Sequence, residues 1–391
     1  MVAPLPGDFE RRMRPFITLQ ASVTPLGAFG AVFVQAGHGS VAVARFAMLM
    51  LAAAALGTVL TYALGTRWRI SARRMVQVGF SLPAGLLWWA DGRPDLLALS
   101  FGAFLGLTWG ARHWLELHLL ADADRDGYAA HAIALAVGVA LATTLTVTVL
   151  LTFANEDRRP VYGLFALLSA VGVFVAGRPI ADAPPVKLHE PFAVLRQPAY
   201  FACLPLFLLE SGLLGIGLVL TASGAVRALE NASQYGWAAS AATLAGALAL
   251  RALRQHRHSE NRIGWMAAAC VGVVLSAALL GASAVWPVLF VLHLLLQSAV
   301  GPFWAASEHV LNQRAMDIHG SIGDRIAARE GTLGVFRIAA LGAFWWATQN
   351  VDDRQRLIAG ASLLGLAAVL EFWLGRAWLG AHRGRDPAQA A

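Results

Sequence analysis

Charge is scarce in this chain. Only 14% of its 391 residues are Asp, Glu, Lys or Arg, against about a quarter in soluble domains, which argues against a soluble globular protein. Lysine is nearly missing as well: Lys187 stands alone, so the net charge of +7 is carried by arginine. Such a balance on a soluble protein would suggest nucleic acid, but no basic patch interleaved with aromatic residues is present, and no nucleic-acid partner is expected. The two cysteines, Cys203 and Cys270, both sit in apolar stretches without a CxxC neighbour. That excludes a disulfide framework and a cysteine-held metal site and leaves them as packing residues. Nucleophile elbows, P-loops and zinc spacings are also missing, so neither an enzyme nor a cofactor is expected.

What the chain has instead is a train of apolar stretches. A bilayer core about 30 Å thick takes roughly 20 apolar residues of helix. Twelve spans approach or exceed that length: 16–36, 41–64, 75–90, 95–118, 128–153, 160–177, 198–222, 233–252, 263–283, 286–311, 331–349 and 357–375. The loops between them alternate. One set holds Arg11, Arg12, Arg14, Arg67, Arg69, Arg73, Arg74, Arg178, Lys187, Arg325 and Arg329 among others; the other set holds Arg93, Arg158, Arg159, Arg227, Arg354 and Arg356. Positive residues stay on the cytoplasmic side, so both termini are expected inside with an even number of crossings. The first span is too long for a cleaved signal peptide and is read as a retained helix. The Ala/Arg-rich, lysine-poor composition points to a bacterial inner membrane. The lipid bilayer is the expected surrounding and a monomer the expected state.

The Pro-rich loop 178–197 separates six spans from six. This divides the chain into an N-terminal bundle (1–178), a cytoplasmic linker (179–197), a C-terminal bundle (198–380) and a tail (381–391). A shift of 187 residues lays LGAFG (26–30) on LLGIG (213–217), and the Arg-rich loop 65–74 on the loop around 252–261. Six-plus-six repeats of this kind are used by rocking transporters.

Between the second and third spans the chain reads Gly65-Thr-Arg-Trp-Arg-Ile-Ser-Ala-Arg73-Arg74. This resembles the GxxxDRxGRR signature of the major facilitator superfamily at the same inter-helix position. Here Arg69 replaces the family aspartate, Ile70 its arginine and Ala72 its central glycine, and the fifth span lacks the GPxxGG pattern of proton-driven drug exporters. The resemblance implies an all-α polytopic membrane protein of about twelve transmembrane helices in two pseudo-symmetric six-helix bundles. It also implies alternating access about a cavity lined by spans one, four, seven and ten, with Arg69, Arg73 and Arg74 at a gate.

Ionisable groups at membrane depth are costly and therefore informative. Glu210 lies mid-span in LLESGLLG, and it is read as a proton-coupling residue, joined by His293 of span ten. Gln297, four residues on, shares the face of His293 and is a substrate contact. Trp109, Arg112, His113 and Glu116 cluster late in span four: the first three are candidate substrate contacts, and Glu116, a candidate gate residue, can pair with Arg112 across one turn. Arg337 and Glu330 lie one heptad apart and form a candidate gate pair, and Arg45 is a gate or interface residue. Gln20, Ser22 and Thr24 give span one a polar face just before Pro25, and Gln20 and Thr24 are candidate contacts.

Two other readings use different residues. Asp122, Asp124, Asp126 and Gly127 have calcium-loop spacing, but Ile133 occupies the position of the bidentate glutamate. The same aspartates could serve a magnesium-dependent intramembrane transferase, which would need a second Asp-rich motif; Asp317 and Asp324, seven apart, are a poor one. A transporter-like scaffold or sensor is the remaining alternative. The expectation is a transporter of a small molecule, coupled to protons, with efflux the preferred direction.

Overall fold

The computed structural model describes residues 6–120, 125–180, 185–253, 262–315 and 318–381. Lipid offers the backbone no hydrogen-bond partners, so a chain this apolar must close its bonds within helices. The described residues do so as α1 (Pro6–Val23), α2 (Pro25–Trp68), α3 (Ala72–Leu86), α4 (Pro94–Leu119), α5 (Arg125–Phe153), α6 (Arg159–Val175) and α7 (Pro191–Leu195), followed by α8 (Pro198–Phe207), α9 (Leu214–Ala228), α10 (Ala232–Leu253), α11 (Arg262–Ala282), α12 (Leu289–Ala315), α13 (Ile322–Ala347) and α14 (Asp353–Ala381). Among them the only extended pairing is an isolated bridge between Ser71 and Pro185.

These helices make twelve crossings. The first is α1 with the start of α2, broken at Thr24, where Pro25 removes a donor and the Thr24 hydroxyl donates to the Gln20 carbonyl at 2.8 Å. Gly39, at φ +78°, turns α2 into the second crossing, a conformation glycine adopts cheaply. α8 and α9 form the seventh crossing around a π turn, Leu208–Gly212. Seven described segments are long and apolar enough to span a bilayer, the first being the 62-residue run Gly7–Trp68. Their outer faces carry exposed Leu56, Leu60, Leu275, Leu366 and Trp373, the reverse of a soluble surface.

Two boundaries differ from the sequence expectation. The helix of the first crossing begins at Pro6 rather than 16, and that of the eleventh at Ile322 rather than 331, ahead of the membrane-spanning part. In the second case Ser321 caps the helix through the Asp324 amide at 3.2 Å, drawing Arg325, Arg329 and Glu330 into it. Asp122, Asp124, residues 254–261 of the repeat, Asp317 and residues 382–391 of the tail lie outside the described residues.

Small residues set the packing. Gly102, Gly106 and Gly110 recur every fourth residue on α4, and side chains there would run into Met50, Ala54 and Thr58 of α2. The close approach lets Thr58 donate to the Gly106 carbonyl (2.6 Å) and Tyr62 to the Gly110 carbonyl (2.9 Å). Backbones packed through small residues are the usual membrane solution. In the C-terminal half, α10 and α12 meet similarly, with Gly246 against the Ser298 carbonyl.

At one end of the molecule, here the linker end, the extended linker crosses both halves. Val186 N donates to the Ile70 carbonyl (2.8 Å), Leu188 N to Thr66 Oγ1 (2.9 Å) and His189 N to Asp324 Oδ1 (2.7 Å). At the far end the Glu156 carboxylate accepts from the Ala232 and Ser233 amides, capping α10 from the opposite half.

Candidate functional site

A cavity of about 500 Å³ lies between the halves, reached by crossings one, two, four, seven, ten and eleven. Its N-terminal wall is apolar and aromatic: Gly27, Met50, Leu51, Phe101 and Trp109, with Thr24 and His113 as the polar positions named in the sequence analysis. Its C-terminal wall carries Glu210, Ser211, Glu308, Arg329, Glu330 and Arg337.

The C-terminal wall depends on a break in the seventh crossing. Pro205 withholds one amide, and a π turn follows at Leu208–Gly212. Ser211 O, which also receives the Leu213 amide, accepts from Arg337 Nε at 3.3 Å, and Ser211 Oγ accepts from Arg337 Nε (3.2 Å) and Nη2. The turn also aims Glu210 at α13, where Arg329 Nη2 lies 3.3 Å from Glu210 Oε2 while Arg329 Nη1 donates to Glu330 Oε1 at 2.7 Å. Arg337 Nη1 stands 3.9 Å from Glu330 Oε2, and His113 Nε2 of the N-terminal half 4.0 Å from Glu330 Oε1. One arginine thus serves two carboxylates, and the second of these reaches across the cavity. The Tyr200 hydroxyl steadies α13 by donating to the Ala328 carbonyl at 2.9 Å.

Several expected residues meet here: Thr24, Trp109, His113, Glu210, Glu330 and Arg337 all line the cavity. Others do not. Arg112 and Glu116 form a buried ion pair at 2.7 Å within the N-terminal half, turned from the cavity by their position on α4. Arg112 also lies over the Trp109 ring, 4.8 Å from its centroid, so it orients a cavity residue without lining the cavity. Gln20 Nε2 donates to Thr108 Oγ1 at 3.1 Å and is buried between helices. His293 is held by Ser276 of α11, with Nδ1 2.8 Å from Oγ and 2.9 Å from the carbonyl, which makes it an interhelical tie. Gln297 is exposed on α12 outside the cavity lining. Arg45 pairs with Asp95 at 2.5 Å near the far end.

The 65–74 loop lies at the linker end rather than in the cavity. Arg69, not a glycine, takes the left-handed conformation (φ 49°) that ends α2. Arg74 N donates to Ser71 Oγ, and the Arg73 stem packs beside Gly177. Gly65 sits within α2, where it makes room for Val186 of the linker.

Sequence reasoning missed three residues of this region. Arg329 was assigned to a loop because the eleventh span was begun at 331. Glu308 and Glu371 lie in spans ten and twelve and carry the same signal, an acidic residue in an apolar run, that singled out Glu210.

No protein-family model matches the chain, and no curated protein matches it. Solved structures do. The nucleoside transporter NupG aligns over 94% of this chain and 98% of its own, with a TM-score of 0.61 at 14% identity. A bacterial homologue of the iron transporter ferroportin, in an outward-facing state, aligns over 95% of this chain and 99% of its own, with a TM-score of 0.61 at 13% identity. With six crossings on either side of the linker and a cavity between them, this chain has the major facilitator fold.

Proposed function

We propose that this protein is a secondary-active transporter that moves a small organic solute across a bacterial inner membrane by alternating access, coupled to protons. The observation that carries the reading is the cavity of about 500 Å³ between two six-helix halves, bordered on one side by a buried ion-pair network. Residues 1–178 and 198–380 are the rocking units and 179–197 the linker between them, in a monomer with both termini cytoplasmic. The arginines gathered at the linker end, including Arg69, Arg73 and Arg74, support that orientation.

The two walls suit an amphipathic solute, its apolar face on Phe101 and Trp109 and its polar end towards Arg329 and Arg337. On that chemistry, export is the preferred direction. Of the neighbours named above, one is a nucleoside transporter and the other a homologue of an iron transporter. Among the described residues no group of three His, Cys, Asp or Glu could hold a metal ion, which favours an organic solute. Glu210 is the coupling carboxylate: it borders the cavity and shares Arg329 with Glu330, so protonating it would free that arginine. Glu330 and Arg337 form the gate pair.

The test begins with thermal-shift screening of purified protein against metabolites, siderophores and drugs at two pH values. Stabilising compounds then go into proteoliposomes with an imposed proton gradient. Glu210→Gln should abolish movement against a gradient while sparing exchange; concentrative transport by that variant would remove Glu210 from the coupling.

A further inference from the structure

The two arginines of the C-terminal wall are not equally engaged. Arg329 directs both ends of its fork at acids, Nη1 at Glu330 (2.7 Å) and Nη2 at Glu210 (3.3 Å). Arg337 lines the cavity with a side chain 14% exposed, and its Nε and Nη2 donate to Ser211. Among the described residues, its Nη1 has no acceptor within hydrogen-bond distance; Glu330 Oε2 stands 3.9 Å away. A guanidinium has donors only, so this edge offers N–H groups to whatever fills the cavity. A donor kept from water without a partner is costly, and an acceptor placed there is rewarded.

Glycine contacts show what lies opposite. Gly331, Gly334 and Gly342 of α13 lie against Val59, Ala55 and Met48 of α2, so these helices run antiparallel and Arg337 falls level with the stretch Met50–Ala54. Gly102 and Gly106 of α4 lie against Met50 and Ala54. Arg337 therefore faces the part of α4 between Phe101 and Trp109, each about 6 Å from its level at a rise of about 1.5 Å per residue. Trp109 is fixed for stacking: Arg112 lies over its ring, 4.8 Å from the centroid, and is pinned by Glu116 at 2.7 Å. The indole is still 36% exposed and lines the cavity.

The charges of the lining leave no surplus cation. Arg329 and Arg337 stand against Glu210 and Glu330, and Glu308 can only add negative charge. His113, the other basic group among the described lining residues, is directed at Glu330, 4.0 Å away. An anionic solute on Arg337 would sit beside Glu330, and an ammonium would meet the guanidinium edge.

We propose that the solute is a neutral, planar aromatic compound with a carbonyl acceptor, its ring stacked on Trp109 and its carbonyl oxygen accepting from Arg337 Nη1. This deepens the transport reading and rests on it for the purpose of binding. It narrows the polar contact to Arg337, because Arg329 is engaged at both ends.

Equilibrium binding to the purified protein, without a gradient, tests it with probes built on one skeleton: 2-naphthamide, 2-methylnaphthalene, 2-naphthoate, 2-naphthylmethylammonium and the saturated decalin-2-carboxamide. The amide should bind tightest, with a loss of about tenfold or more on removing the carbonyl and of about two- to tenfold on saturating the rings. Trp109→Leu should erase the preference for the aromatic amide over its saturated counterpart. Arg337→Met should erase the preference for the amide over the hydrocarbon. Tighter binding of either charged probe, equal binding of the amide with the hydrocarbon or with the decalin, or binding of none of them overturns the proposal. Should Arg337→Met fail to fold by size exclusion and circular dichroism, the amide–hydrocarbon difference in the unaltered protein decides. A chain that selects the amide but moves no solute leaves this result standing and removes the transport reading; concentrative transport of a charged or saturated solute alone does the reverse.

Discussion

Across the cavity, Trp109 and His113 of the N-terminal half look onto Glu210, Glu308, Arg329, Glu330 and Arg337 of the C-terminal half. The first wall is backed by α2 and α4, locked together through Gly102, Gly106 and Gly110, and the buried ion pair of that half, Arg112 with Glu116, is turned away from the cavity. The second is built on a crossing interrupted by Pro205 and a π turn, with an arginine shared between two acids. Stiffness is concentrated on one side and adjustable charge on the other. In such a pair the N-terminal wall acts as a platform, and the C-terminal wall carries the states that differ in charge.

That contrast can be broken at several points. The largest effect is expected for Arg329→Ala, which takes the nearest described cation from two buried carboxylates, Glu210 and Glu330; removing one partner of a buried pair costs about 3–5 kcal/mol. A large fall in Tm checks it, and an unchanged Tm would show that the charged wall is not held by this residue. Gly106→Val attacks the platform. Forcing α4 off the Ala54 carbonyl should cost about 1–3 kcal/mol, read as a smaller drop in Tm that Gly301→Val, in open space on α12, does not produce.

Trp109→Ala should leave folding intact and weaken solute binding by about 0.5–1.5 kcal/mol, measured by thermal shift with whichever solute stabilises the parent. The smallest effect concerns Asp324, at the linker end. Burial raises its pKa, but bonds from Ser321, the His189 amide and the Glu190 amide outweigh this, and the folded value is lowered. Its contribution is therefore complete above the unfolded carboxylate value of about 3.9 and is lost as pH falls through the lower folded value. Melts between pH 7 and 3 should show an acid-side loss that Asp324→Asn diminishes, with no dependence on the neutral side.

Much of the architecture was legible because apolar length and loop charge are properties of the chain itself. The twelve crossings and the Arg112–Glu116 pair follow from spacing along one helix. The cavity was legible in part: Glu210, His113 and Trp109 are unusual where they stand. The assignments that missed depend on helix rotation. His293 and Gln20 point between helices, where they meet Ser276 and Thr108, and for His293 a single sequence does not register which way so weakly amphipathic a helix is turned. Arg329 was hidden differently, by a serine cap that starts its helix nine residues before the apolar run predicted at 331.

The linker rests in two notches, one at Gly65 on the N-terminal half and one at Gly323 on the other, where any side chain would collide with Val186 or Lys187. These contacts are adjacent in sequence, and His189, two residues beyond Lys187, is the one that bonds Asp324. A few residues of extended backbone therefore form a tether gripped from both sides, and a bulkier residue at Gly65 would be felt at the start of α13 without passing through the cavity. The linker is thereby joined directly to the helix that carries Arg329.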